Sequence, residues 1–215
     1  MAEPSKLVAG VTAVYGADYV QRVYGEILPI PVDRIIEAPD GHVISLNGRE
    51  LVCLDTPGHA RHHICIVDHK AKAIFTGDMF GLSYRELDVD SRQFIFPTTT
   101  PTQFEPDEMR ASIQRLVALQ PQAMYLTHYS QVPEVQAQGA ELLRHLDALV
   151  AMAQGEQGAG EQRHARIKQK MTDYLLAEIR RHGCQLPEST LLDIWATDLE
   201  LNAQGLGVWL DSRKA

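Results

Sequence analysis

The chain has few cysteines and no long apolar run. Its three cysteines, Cys53, Cys65 and Cys184, are an odd number without a CxxC spacing, which argues against a disulfide framework or a zinc ribbon. Cys53 and Cys65 lie in apolar, strand-like segments, so we expect small buried residues in a reducing compartment. No run approaches the roughly 18 apolar residues of a membrane-spanning helix, and no secretion signal is recognisable. We therefore expect a cytoplasmic protein with no membrane partner.

Positive charge is also scarce. The chain carries 20 Lys and Arg against 28 Asp and Glu, which gives a formal net charge of −8. A protein that binds a nucleic-acid backbone needs clustered Lys and Arg on one face. The main basic concentration, residues 163–170 with Arg180 and Arg181, is instead typical of a solvated helix face. We expect no nucleic-acid partner.

Several catalytic signatures are absent as well. The chain has no Gly-x-Ser-x-Gly elbow, no phosphate-binding glycine-rich loop and no dinucleotide fingerprint. A Cys or Ser nucleophile outside these signatures stays open. The hydrophobic content of 45% can fill a sizeable core and is typical of a globular protein of one or two domains.

Three short motifs each place one metal-type side chain after an apolar segment. They are Thr-Pro-Gly-His at 56–59, Thr-Gly-Asp at 76–78 and Thr-His-Tyr at 127–129. We expect His59, Asp78 and His128 where a strand meets its loop, which is a common place for a site. Imidazole and carboxylate suit zinc or iron, and a divalent metal lowers the pKa of bound water from about 16 to about 7. The motifs therefore indicate a metal-dependent hydrolase.

This ordered set resembles the metallo-β-lactamase superfamily, and within it the glyoxalase-II-like hydrolases, over roughly residues 4 to 150. The segments at 81–86 and 96–101 resemble one branch of those hydrolases. The resemblance implies an α/β fold, an αββα sandwich whose two sheets hold one or two zinc or iron ions at one edge. It also implies that His59 binds the first metal, that Asp78 bridges both as the catalytic carboxylate, and that His128 binds the second.

One element of the family pattern, His-x-His-x-Asp-His, does not occur in the chain. The nine histidines stand at positions 42, 59, 62, 63, 69, 128, 145, 164 and 182, and no two are separated by a single residue. Pro4 and the residues after it match the part of the family pattern that comes after that element, so we expect an N-terminally incomplete, truncated fold. Met1 would then be a misplaced start or the result of a truncation. An uncovered sheet face would favour association, so we expect that the chain could form a homo-oligomer.

The resemblance implies that a small-molecule ester or thioester is cleaved by metal-bound hydroxide. Without the missing element we expect one ion, held by His59, Asp78 and His128, where the complete family site holds two. Two alternatives stay open. The chain is either a hydrolase, which is active or inactive in this truncated form, or a non-catalytic remnant that acts as a binding or oligomerising module. Lactam, lactone and phosphodiester hydrolysis also occur on this fold, so the fold does not select the substrate.

Four further residues are expected close to the ligands. His62 and His63 come shortly after His59 in the chain, and we expect them to support a ligand or the loop backbone. Tyr84 and Tyr129 are candidate substrate contacts. Tyr84 lies in a segment at 79–104 that is rich in Thr and Pro and long enough to serve a site.

The patterns of helix, strand and linker divide the chain into three parts. Residues 1–153 are expected to form the metallo-β-lactamase-like domain, residues 154–160 a Gly-rich linker, and residues 161–215 a helical appendage that caps the domain or makes a dimer. Within the first part, apolar runs at 34–37, 42–46 and 50–54 predict strands. Asn47-Gly48 predicts a hairpin between the last two.

Overall fold

The structure is a computed structural model that describes residues 2–99, 103–128 and 130–213. It contains two compact units, Met1–Ala38 and Pro39–Ala215. The first unit holds helices α1 (Ser5–Tyr15) and α2 (Ala17–Tyr24).

The strand expected at 34–37 is wrong. Val32–Arg34 forms one turn of 3-10 helix instead, in which the Arg34 N–H donates to Pro31 O and the Ile35 N–H to Val32 O, at 2.9 and 3.1 Å. These local bonds engage the N–H groups of Arg34 and Ile35, which a strand would donate to a neighbouring strand. An apolar run predicts a strand only where a partner strand is available.

In its described residues, the second unit is built on one six-stranded sheet whose strands lie in chain order. The strands are β1 (His42–Leu46), β2 (Arg49–Asp55), β3 (Ile64–Asp68), β4 (Ala73–Gly77), β5 (Ala123–Leu126) and β6 (Ser130–Val132). Neighbours are antiparallel except β4 and β5, which are parallel. The predicted hairpin between β1 and β2 is confirmed, with Asn47 at φ 51° and Gly48 at φ 80°, as a type I′ turn requires.

Within the described residues, four α-helices complete this unit. They are α3 (Pro106–Ala118), α4 (Val135–Gly155), α5 (Arg163–His182) and α6 (Glu188–Ser212). Pro106 begins α3 at a position where a missing N–H costs nothing, and Gly183 ends α5 in the left-handed region at φ 104°, a common helix terminus. The α/β fold class with C-terminal helices is confirmed. Among the described residues, no helix is both long and apolar enough to cross a bilayer.

One face of the sheet carries the core. Facing register positions of β3 to β6 are occupied by Val67, Ile74, Met124 and Val132, all buried. Trp195 of α6 is fully buried and its ring packs near those of Phe94 and Phe96, which precede α3. The C-terminal helices therefore share the core with the loop before α3. The domain boundary at 154–160 stays a prediction.

Candidate metal centre

The three predicted ligands lie just beyond strands that run in the same direction. Strands β2 and β4 are both antiparallel to β3, and β5 is parallel to β4. The C-terminal ends of β2, β4 and β5 therefore lie at one edge of the sheet, and His59, Asp78 and His128 come shortly after those ends. The topology alone brings the three side chains together.

At this edge Asp78 lies between two imidazole rings. Its Oδ2 is 3.4 Å from His59 Nε2 and its Oδ1 is 3.5 Å from His128 Nε2. The Oδ1 atom is buried and has no hydrogen-bond partner within the described residues. Side-chain exposure rises from 12% at His59 through 30% at Asp78 to 49% at His128. The site is closed on the His59 side and open to solvent on the His128 side.

The orientation of the His59 ring is fixed by a backbone carbonyl. Nδ1 is 3.2 Å from Thr98 O, and because a carbonyl only accepts, Nδ1 carries the proton. The neutral ring then presents the Nε2 lone pair to Asp78. Burial lowers the pKa of His59, and the charge of Asp78 opposes that shift in part. A lone pair and a carboxylate oxygen thus face each other, an arrangement that a cation between them would stabilise.

His63 supports the backbone of Asp78. Its Nε2 accepts the Asp78 N–H at 3.1 Å, so the protonated Nδ1 donates to Thr56 Oγ1 at 3.0 Å. Burial, with a smaller contribution from His59, lowers the pKa of His63 to about 4. Both ring nitrogens are engaged away from the ligand atoms. His62, by contrast, is exposed, although its charge contributes to lowering the pKa of His59.

Two glycines of the motifs lie where no larger residue fits. A Cβ on Gly77, at φ 52°, would be 2.5 Å from His63 Nε2. A Cβ on Gly58, at φ 128°, would be 2.2 Å from the backbone nitrogen of Met109. The start of α3 passes over the loop after β2 at this point, and the Glu105 N–H donates to Gly58 O at 2.8 Å. The glycines therefore allow the close packing that holds His59 and Asp78.

Tyr84 is held by a residue that the sequence did not indicate. Its hydroxyl donates to Asp198 Oδ2 of α6 at 2.6 Å, and its ring stacks on that of Phe96. Burial raises the pKa of Asp198, while the hydrogen bond from Tyr84 and the charge of His128 oppose the shift. Asp198 lies 114 residues from Tyr84 in a regular helical pattern, so no local signal marks it. Tyr129 lies outside the described residues.

A second cluster of metal-type side chains lies between α4 and α5. Within the described part of the chain, Glu141, His145 and Glu178 are the only group of three whose ligand atoms all lie within 4.8 Å of one another. Arg144 Nη2 lies 2.6 Å from an oxygen of each glutamate and 3.5 Å from His145 Nε2. The Arg144 guanidinium therefore already supplies the positive charge that a metal ion would bring to these glutamates. The geometry is therefore that of an ion-pair network between two helices.

A known protein family matches the part of the chain that contains most of the sheet. The sequence model described as "Metallo-beta-lactamase superfamily" matches residues 4–128, which include the three predicted ligands and exclude α4, α5 and α6.

Three curated proteins are similar over shorter segments. Acyl-coenzyme A thioesterase MBLAC2 of Gallus gallus is 39% identical over 51 residues, 24% of this chain and 18% of that protein. Metallo-beta-lactamase fold-containing protein ST1585 of Sulfurisphaera tokodaii is 28% identical over 107 residues, 49% of this chain and 37% of that protein. Atrochrysone carboxyl ACP thioesterase of Aspergillus chevalieri is 49% identical over 39 residues, 18% and 13% of the two chains.

A solved structure is similar over a longer stretch. The crystal structure of the metallo-beta-lactamase superfamily protein ST1585 from Sulfolobus tokodaii is 26% identical and gives a TM-score of 0.54. The match covers 68% of this chain and 51% of that structure. The chain thus spans about half of this structure, and its matches span less than two fifths of each curated relative.

Proposed function

The chain belongs to the metallo-beta-lactamase superfamily, and on that premise we propose that it is a metal-dependent hydrolase of the glyoxalase-II-like type. The proposed metal-binding residues are His59, Asp78 and His128. One observation carries the proposal: each oxygen of the Asp78 carboxylate faces an imidazole nitrogen, and Oδ1 has no hydrogen-bond partner within the described residues.

Each of the two His–Asp pairs has the spacing of neighbouring ligands on a divalent ion. Two ligand atoms on one tetrahedral zinc, with bonds of about 2.1 Å, lie roughly 3.4 Å apart. The distances from Asp78 to His59 and to His128 are 3.4 and 3.5 Å. A neutral imidazole and a carboxylate suit zinc or iron, and the donor set does not distinguish these metals.

We propose that one ion is held first by His59 and Asp78. These two side chains are the less exposed members of the site, so their positions are fixed by packing. His128 is half-exposed and faces the other carboxylate oxygen. As a third protein ligand it would bring the site to the usual number at an open catalytic zinc site.

When bound, a divalent ion would supply a nucleophile near neutral pH, because it lowers the pKa of coordinated water to about 7. The chain's own residues would orient the reaction. His63 and Thr98 hold Asp78 and His59 in place, which keeps the inner wall of the site rigid. A small substrate would approach from the solvent side, where His128 lies.

We propose an ester or thioester as the substrate. Two of the similar proteins carry thioesterase names, and each is matched over a short segment only. The cleavage would produce a carboxylic acid and a thiol or alcohol.

The test combines metal content with hydrolysis. We expect the purified chain, loaded with zinc and dialysed, to retain about one zinc per chain and to hydrolyse a short acyl thioester such as acetyl-coenzyme A. Asp78→Ala should abolish zinc retention, since it removes the carboxylate between the two rings. His62→Ala is the matched control, because His62 is a neighbouring exposed histidine, and it should retain the metal.

Equal zinc loss in the two variants would contradict the assignment of Asp78 as a metal ligand. A wild-type chain that retains no zinc and cleaves no ester or thioester would overturn the proposal that the protein is a hydrolase. That result would favour a non-catalytic module that binds a partner or oligomerises.

A further inference from the structure

Helix α6 contacts the loop beside the proposed metal centre through a buried amide. Asn202 is 1% exposed. Its side-chain oxygen accepts the Thr99 N–H at 2.7 Å, and its side-chain nitrogen donates to Pro97 O at 3.1 Å. A flipped amide would break both bonds, so its orientation is fixed by the network.

The residue between these two anchors is Thr98, whose carbonyl orients His59. Pro97 and Thr99 are both buried, and Asn202 holds the backbone on either side of the Thr98 carbonyl. That carbonyl accepts the Nδ1–H of His59 at 3.2 Å. A fixed chain of contacts therefore runs from α6 through the loop to the imidazole ring.

A second residue on the same face of α6 supports the loop next to His128. Asp198 precedes Asn202 by four residues, which places both on one face of α6. Asp198 accepts the Tyr84 hydroxyl at 2.6 Å, and the neighbouring Ser83 N–H donates to His128 O at 3.0 Å. One turn of α6 thus holds the loops that support both histidines.

We infer that Asn202 is a positioning residue for the metal centre: through the Thr98 carbonyl it selects the Nδ1–H tautomer of His59 and directs Nε2 toward Asp78. The inference rests on the proposed function. It goes beyond the family match, which covers residues 4–128, because Asn202 lies in a helix outside that segment. Groups that orient a ligating histidine typically change metal affinity by 10- to 100-fold when they are removed.

The substitution Asn202→Leu tests the inference, because it keeps the number and branching of the side-chain heavy atoms and removes both side-chain hydrogen bonds. The first readout is the tautomer of His59 in zinc-free protein, from long-range ¹H–¹⁵N NMR of the histidine side chains, with His59→Gln to assign the signal. We expect Nδ1–H alone in the wild type and a mixture of tautomers in Asn202→Leu. The second readout is the zinc dissociation constant, which should rise at least tenfold.

Leu191→Ala is the matched control. Leu191 is fully buried in the same helix, about 16 Å from Asn202 along the helix axis at 1.5 Å per residue. We expect it to destabilise the protein without changing the tautomer or the zinc affinity. If Asn202→Leu does not fold, Asn202→Asp replaces it, since an aspartate keeps the acceptor for Thr99 and loses the donor to Pro97.

The two readouts separate the inference from the proposed function. An unchanged His59 tautomer in the folded Asn202 variant overturns the inference, whatever the metal affinity. A mixed tautomer supports it even if the wild type binds no zinc, in which case only the proposed function fails. A tautomer change of equal size in Leu191→Ala would show a general effect of destabilisation and would also overturn the inference.

Discussion

Replacement of Gly77 by alanine should disrupt the proposed metal centre without changing a proposed ligand. The new Cβ would be 2.5 Å from His63 Nε2, whereas an unstrained contact is about 3.5 Å. The ring would have to move by about 1 Å. That movement would break the bonds of His63 to the Asp78 N–H and to Thr56.

The expected cost can be worked out from these contacts. An alanine in the left-handed region costs about 1 kcal/mol, and the loss of two hydrogen bonds at partly buried groups costs about 2–3 kcal/mol. We expect Gly77→Ala to lower the free energy of unfolding by about 3–4 kcal/mol. Urea unfolding monitored by tryptophan fluorescence measures it, since Trp195 and Trp209 are both buried. Zinc affinity should fall as well, because the Asp78 backbone loses its support.

Gly48→Ala is the matched control for backbone strain. Gly48 has φ 80°, and a Cβ there would meet nothing within 4 Å, so the variant should cost only about 1 kcal/mol. In the double variant Gly77→Ala/His63→Ala the clash is absent, and the cost should be smaller than the sum of the two single costs. Equal costs for Gly77→Ala and Gly48→Ala, within about 0.5 kcal/mol, would refute the reasoning.

Two further predictions concern pH and metal. Burial and the nearby Arg144 lower the pKa of His145 to about 4, whereas the unfolded residue titrates near 6.5. The unfolded state therefore binds the proton first, and the stability that is present above pH 6.5 should be lost as the pH falls toward 4. His145→Gln should flatten the pH dependence of the urea midpoint in this window; an unchanged slope would contradict the assignment. Zinc at 100 times its dissociation constant should raise the free energy of unfolding of the wild type by about 2.7 kcal/mol, and the same addition should leave the midpoint of Asp78→Ala unchanged.

Much of the fold is encoded in local sequence patterns. The Asn47-Gly48 hairpin and the helices expected beyond residue 160 are local signals that the structure confirms. The strand expected at 34–37 failed because an apolar run cannot supply its own partner strand. Strand β6 was not predicted, since three residues are too short to show a period.

In the candidate site, too, some features follow from the local sequence and others from the tertiary structure. The sequence by itself determined which side chains come after the ends of β2, β4 and β5, since each motif joins an apolar run to a turn and one ligand-type residue. Only the tertiary structure decided how those side chains are held. Every residue has a backbone carbonyl, so the identity of Thr98 does not show that its carbonyl orients His59. Asn202, which holds that loop, lies 103 residues from Thr99. Hydrogen bonds between distant segments depend on how the chain packs, and a sequence pattern records only what neighbours along the chain require.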